Sequence, residues 1–271
     1  MNAPKYNVIF RTCDAVQALR GSRPFGLDKR TLIKTCFLSL VDAVKDYPHS
    51  IRILGDKLSP QLTGFFERFA EQDRGITLLH GDWGNDESIR QSLSLALSLP
   101  EDEWVYFCED DYLHRPFAFA WIDELIRSRA EVLRFEPQRW FMKALFREAK
   151  GSPLFIHPAD YPDRYEATKR QFSLVFVTKL NHWRQISSTT FTFLGKVSSL
   201  RRYEKPIRES SAGARDDLLS RRLYSHVFFR GRGLCVSPIP GVATHMTDGV
   251  MTPLVDWESL LRQMIARTEK M

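Results

Sequence analysis

Three consecutive carboxylates, Glu109, Asp110 and Asp111, follow directly on the apolar segment Trp104-Val105-Tyr106-Phe107-Cys108. That segment reads as a buried strand. Crowding three like charges is costly, because each carboxylate raises its neighbour's pKa, and a bridging cation removes the cost. At the carboxyl end of a parallel strand, facing a crevice, such a run is placed to hold a divalent metal and a phosphate ligand. Taken alone, it also reads as a solvated acidic turn. Asp14, Asp56 and Asp82 follow other strand-like segments, so four acidic strand ends would share one rim. That coincidence favours the metal-and-nucleotide reading.

The elements that must position these residues alternate regularly through the first 130 residues. Strand patterns at Tyr6–Arg11, Ser50–Gly55, Gly75–Leu79 and Glu103–Cys108 alternate with helical spacing. The helices run over Leu32–Val44, from Pro60 through Phe69, from an Asn85 cap to the stop at Pro100, and from Pro116 through Ile126. Four βα units in sequence predict an α/β fold, a mostly parallel sheet flanked by helices on both faces. The second half is less regular. An aromatic stretch, Phe135–Tyr165, either covers the core or lines a binding site. Strands are expected at Phe172–Val177, Ser188–Leu194 and Leu234–Val236, a helix at Asp216–Val227, and an amphipathic helix at Val255–Ala266. No repeat or Pro/Gly-rich linker divides the chain, which predicts one domain over 1–271, a ligand-binding half at 1–130 and an irregular half at 131–271.

Composition bounds the function. The 271 residues are 43% hydrophobic and 27% charged, ordinary values for a globular protein. No apolar run reaches 18 residues, and the N-terminus has no signal-type apolar core, so a cytoplasmic protein is expected. Cys13, Cys36, Cys108 and Cys235 lack metal-site spacing and read as reduced thiols. A formal net charge of +6 favours polyanionic partners such as nucleotide phosphates or acidic glycans. The Arg clusters are scattered and no nucleic-acid motif accompanies them, so a nucleic-acid partner is not expected. Neither a Walker-type loop nor GxGxxG is present, which disfavours P-loop kinases and dinucleotide-dependent dehydrogenases.

The order of these features resembles the GT-A glycosyltransferases (a Rossmann-like fold), most closely the large inverting glycosyltransferase family 2. Three short motifs carry the resemblance. Glu109-Asp110-Asp111 stands where the family has its DxD-type signature, with Glu for the first Asp; this implies that Asp111 coordinates Mn²⁺ or Mg²⁺ and that Glu109 or Asp110 contacts the donor. Arg215-Asp216-Asp217-Leu218-Leu219-Ser220-Arg221-Arg222-Leu223 is similar to the family's helix-start acidic element, with Arg215 for the usual Glu. It implies Asp216 as catalytic base and Asp217 as the fallback; an ordinary acidic helix start is the plainer reading. His245, closing Pro240-Gly241-Val242-Ala243-Thr244-His245, matches a late metal or diphosphate ligand of several GT-A enzymes, or is simply structural. By the same resemblance Arg11, Thr12 and Asp14 at the first strand's end, Asp56 at the second's, and Asn85 and Ser88 in the third helix bind the donor.

The implied activity is metal-dependent transfer of a sugar from a UDP- or GDP-linked donor to a hydroxyl on a glycan or lipid-linked acceptor, with inversion if Asp216 is the base. Two alternatives stay open: a sugar-phosphate nucleotidyltransferase, which would use Arg20, Arg23, Lys29 and Arg30 around a triphosphate, and a non-catalytic basic adaptor for acidic polymers. The C-terminal helix either packs on the domain or rests peripherally on the inner face of an anionic membrane.

Overall fold

The computed structural model describes residues 4–14, 23–133, 152–166, 173–224 and 232–270. Its central strands are apolar on both sides because both sides are covered. In β1 (Tyr6–Cys13), Tyr6, Val8 and Phe10 face one hydrophobic cluster and Ile9 the other. Beside it lie β2 (His49–Asp56), β3 (Ile76–Gly81) and β4 (Trp104–Glu109). Helices α1 (Lys29–Val44), α2 (Pro60–Gln72) and α4 (Ala118–Val132) cover the first face, and α3 (Gly84–Leu97) the second.

The second half adds strands β5 (Tyr112–His114), β6 (Leu154–Ile156), β7 (Val175–Val177), β8 (His182–Ile186), β9 (Phe193–Lys196), β10 (Leu234–Ile239) and β11 (Ala243–His245). Helices α5 (Val197–Arg202), α6 (Glu204–Ser211) and α7 (Asp216–Leu223) join the face of α3, and α8 (Trp257–Thr268) the face of α1. Nine strands form one sheet in the order β3-β2-β1-β4-β9-β6-β10-β8-β7, drawing on both halves of the chain. The pairings leave β8 and β9 reversed and the other seven strands running in one direction, so the expected mostly parallel character is present. Chain order reverses between β1 and β4, where an open α/β sheet forms a crevice at its carboxyl rim.

The second half departs from the expected pattern in four places. Ser188–Leu194 is strand only from Phe193, because the hydroxyls of Thr189, Thr190 and Thr192 bond to three other parts of the fold rather than lying along a ladder. The strand expected over Phe172–Val177 is Val175–Val177, with Phe172 outside the described residues. Strand β8 was not expected; its His-Trp-Arg-Gln-Ile pattern alternates a buried Trp183 with polar neighbours. The helix from Asp216 ends at Leu223, and 225–231 lie outside the described residues, as do Trp140, Phe141 and Phe146 of the aromatic stretch.

The C-terminal helix packs on the domain. Its apolar face of Trp257, Leu261 and Met264 is buried, and Arg267 pairs with Asp42 of α1. None of the described helices is long and apolar enough to cross a membrane.

Candidate active site

Arg11 and Glu109 are register partners across β1 and β4, so parallel pairing puts both side chains on the α3 face of the rim. There Arg11 Nη2 donates to Glu109 Oε1 at 2.6 Å, while Nη1 donates to Asn85 Oδ1 at 2.6 Å and Ser88 Oγ at 3.4 Å. Asn85 and Ser88 are presented by the first two turns of α3, whose start Asp56 fixes by accepting from the backbone N–H of Trp83 at 2.6 Å and of Gly84 at 3.0 Å. Gly84 has φ +68°, a conformation that favours glycine at this helix start.

The next two carboxylates take different partners. Asp110 Oδ2 accepts from Thr12 Oγ1 at 2.9 Å and from the Cys13 N–H at 3.1 Å, tying the ends of β4 and β1 together. Burial pushes its pKa up to about 6, opposed by nearby Lys29 and reinforced by Asp111. Asp111 Oδ2 meets His245 Nε2 at 2.9 Å. This contact is built by a two-stranded ribbon in which Tyr112 of β5 is the register partner of His245 of β11, and the Met246 N–H donates to the Asp111 carbonyl at 2.8 Å. The Tyr112 ring stacks on the imidazole, centroids 5.0 Å apart and planes 6° from parallel. Gly241 permits the close approach of this return segment, since a Cβ there would sit 2.8 Å from the Asp160 backbone nitrogen.

Asp216 is the first residue of α7. Buried Leu219 and Leu223 anchor that helix, each contributing about 2 kcal/mol of transfer free energy. Burial drives the Asp216 pKa up to about 7; Glu109 and Asp217 push the same way, and Arg11 and His245 oppose them. Its neighbour Asp217 is exposed and pairs with Arg221 of its own helix at 2.6 Å and with Arg215, the residue before that helix, at 3.4 Å. At His245, burial works against the imidazolium, but Asp111 overrides it and the pKa stands at about 9. For Asp111, burial is outweighed by His245, which holds the carboxyl below its ordinary value.

The structure thus brings Arg11, Thr12, Asn85, Ser88, Glu109, Asp110, Asp111, Asp216 and His245 to one rim. Asp14 and Asp56 lie at their strand ends, but their carboxylates are engaged: Asp14 accepts from the Ser59 N–H at 3.0 Å and Arg30 Nε at 3.1 Å, and Asp56 caps α3. A nucleobase contact by either would require those bonds to exchange. Asp82 is exposed and pairs with Lys57. Of the residues proposed for a triphosphate cradle, Arg20 lies outside the described residues and Arg30 is bound to Asp14 and Gln61.

Sequence reasoning missed the segment that joins these parts. Thr189 receives the Ser220 hydroxyl on its carbonyl and contacts Tyr224 Oη at 3.0 Å, holding α7. Thr190 Oγ1 lies 2.9 Å from Tyr112 Oη, whose other partner is Tyr161. Thr192 Oγ1 accepts from the Glu109 N–H at 3.1 Å and donates to Glu109 Oε2 at 3.2 Å. The signal was a threonine-rich run just before a strand, read as β propensity rather than as hydroxyls.

The residues fit a divalent cation in part. Asp111 Oδ1 is buried with no hydrogen-bond partner, an orphaned acceptor beside His245, whose imidazole would ligate on releasing a proton. Oxygen and imidazole together suit Mn²⁺. No group of three or more His, Cys, Asp or Glu suited to a metal occurs among the described residues, so the remaining ligands would have to come from substrate and water.

No protein-family model and no curated protein matches the chain. Among solved structures, it is similar to TarS 1-349 of S. aureus, with 13% identity, 96% of this chain covered, 64% of that one, and TM-score 0.46. The chain therefore spans less than two thirds of that structure's length. It is also similar to 4-diphosphocytidyl-2C-methyl-D-erythritol synthase, with 11% identity, 98% and 100% covered, and TM-score 0.43. A third is the galactosyltransferase LgtC with donor and acceptor sugar analogues, with 12% identity, 79% and 69% covered, and TM-score 0.37.

Proposed function

We propose that this chain is a metal-dependent glycosyltransferase that moves a sugar from a nucleotide-activated donor to a hydroxyl acceptor with inversion. The observation that carries the reading is the meeting, on one carboxyl rim, of the Asp111–His245 pair and a raised-pKa carboxylate, Asp216. A diphosphate brings its negative charge to Arg11 and to the metal that Asp111 and His245 would hold, and that cation would neutralise charge on the departing nucleotide. Glu109 holds the Arg11 guanidinium in place, and Arg11 Nη1, which donates to Asn85 and Ser88, can exchange them for an oxygen of the nucleotide-sugar. Asp110 keeps β1 and β4 closed under the site. Asp216, poised near neutral pH, takes the proton from the acceptor hydroxyl as it attacks the anomeric carbon. A base across the crevice from the leaving group gives inversion. The acceptor is of the glycan or lipid-linked class expected from the sequence.

Transfer assays with a panel of UDP- and GDP-sugars and simple glycan acceptors test this. Wild type should transfer, and Asp216→Asn should lose at least about 10²-fold in kcat, the usual scale for a general base, while still binding nucleoside diphosphate. Full activity in Asp216→Asn would overturn the role of the base.

A further inference from the structure

A polar hollow of about 400 Å³ including its open mouth, with none of the rim residues in its lining, is lined by Asp163, Arg164, Ser173, Arg184, Gln185 and Ser188 among others. Arg184 of β8 is the register partner of Ser237 of β10, and the pair two residues along, Ile186 with Cys235, belongs to the cluster under α3 and α7. By strand alternation Arg184 therefore stands on the same face of the sheet as Glu109 and Asp216. Ser188, at the edge of the hollow, is one residue from Thr189, which holds the Asp216 helix.

The two arginines differ. Arg164 makes three hydrogen bonds: Nη1 donates to the Ala159 carbonyl at 3.0 Å and to Ser237 Oγ at 3.1 Å, and Nη2 to the Ser188 carbonyl at 3.3 Å. The Arg184 side chain has no hydrogen-bond partner among the described residues, and its buried Nε is left 3.6 Å from Asp160 Oδ1. Its guanidinium lies on the Tyr165 ring, 4.3 Å from the centroid, while the Tyr165 hydroxyl donates to Asp160. Two guanidiniums thus share one fully buried carboxylate, Asp160, and the exposed Asp163 at the mouth makes no ion pair with either. A guanidinium oriented by ring and counter-charge, whose fork has no hydrogen-bond acceptor among the described residues, is matched by a carboxylate or phosphate.

We infer that this hollow is an oxyanion-binding subsite centred on Arg184, taking a carboxylate or phosphate group carried by the acceptor. The word acceptor rests on the glycosyl-transfer reading; the anion site rests only on the hollow itself. Such an acceptor is an acidic sugar or a phosphate-bearing glycan, held with its hydroxyl toward Asp216 on the same face.

The test is calorimetric titration of the full chain, in EDTA, with D-glucuronate, inorganic phosphate and D-glucose. Wild type should bind glucuronate or phosphate at millimolar concentration and bind glucose at least tenfold more weakly. A stronger response to glucuronate identifies a sugar acid, and a stronger response to phosphate a phosphorylated acceptor. Arg184→Gln should weaken anion binding at least tenfold. Arg184→Lys, which keeps a positive charge toward Asp160 and guards against misfolding, should also weaken it, because the planar fork is lost. Neither anion binding to wild type, or undiminished binding in both variants, overturns the subsite. Binding of UDP or GDP with Mn²⁺ should be unchanged in Arg184→Lys; its absence from wild type would count against glycosyl transfer and leave the anion result standing.

Discussion

The carboxylate of Asp111 and the imidazole of His245 meet at 2.9 Å although 134 residues separate them in sequence. The β5–β11 ribbon and the stacked Tyr112 ring fix both partners before any ligand arrives. The consequence for stability has a definite sign. The imidazole pKa is raised from 6.5 to about 9, so its contribution is complete below pH 6.5 and is lost as pH rises through 9. The Asp111 pKa is lowered, so its contribution is present above 3.8 and lost as pH falls through the depressed value. Metal-free protein should therefore gain most from the pair between about pH 4 and 6.5. Asp111→Ala should cost about 1–3 kcal/mol at pH 6 and clearly less at pH 9.5, by denaturant unfolding. A cost independent of pH would show that the pair is not ionised as described.

Asp216 gives the sign opposite to Asp111. A carboxyl whose pKa rises from 3.8 to about 7 binds its proton more tightly when folded, so the folded state loses stability as pH rises from 4 to 7. Asp216→Asn should be roughly 1 kcal/mol or more stabilising at pH 8 and nearly neutral at pH 4. In metal-saturated enzyme the acid limb of kcat/KM should report this group, and the limb should be missing from the variant's residual activity.

Arg11 links the two effects. It pairs with Glu109 and lowers the Asp216 pKa. Arg11→Gln should move the acid limb upward by about 0.5–1 pH unit and weaken nucleoside diphosphate binding. An unmoved limb with weakened binding would confine Arg11 to the donor.

Thr192 is expected to behave as a positioning residue. Thr192→Val removes the acceptor for the Glu109 N–H and the donor to its carboxylate, for about 1–2 kcal/mol of stability. Donor KM should rise more than kcat falls, since the displaced group is the one that holds Arg11. Thr192→Ser should restore both values.

The C-terminal helix supplies a control away from the site. Trp257 is buried, and its indole N–H donates to the Thr252 carbonyl at 2.8 Å. Trp257→Ala should cost about 3–5 kcal/mol, and wild type should not float with anionic vesicles through this helix. Flotation abolished by this substitution without loss of stability would reinstate the membrane reading.

The first-half beat was legible because fully buried parallel strands and amphipathic helices leave strong periodicities in Tyr6–Arg11, Ser50–Gly55 and Leu32–Val44. The carboxylate run was legible because Glu109 ends a strand with no polar residue before it. Asp216 and His245 were found through resemblance, since one helix start or one late histidine carries little pattern of its own. The roles of Asp14 and Asp56 were not legible: capping a neighbouring element and touching a ligand both call for an acid at a strand end. The threonines at 189, 190 and 192 were hidden for a related reason, because β-branching advertises a strand while the hydroxyls act in a loop. Arg184 gave no signal, as its partner Asp160 lies in an earlier segment between elements that the fold brings beside β8.

The most direct measurement is the melting temperature of the full chain with UDP and with GDP, with and without Mn²⁺, in wild type and Asp111→Asn. One of the two nucleotides should stabilise wild type by several degrees only when Mn²⁺ is present, through mass action on the folded state, and Asp111→Asn should lose most of that increment. Equal stabilisation with and without metal, or no response to either nucleotide, would contradict a metal-diphosphate site at Asp111 and His245.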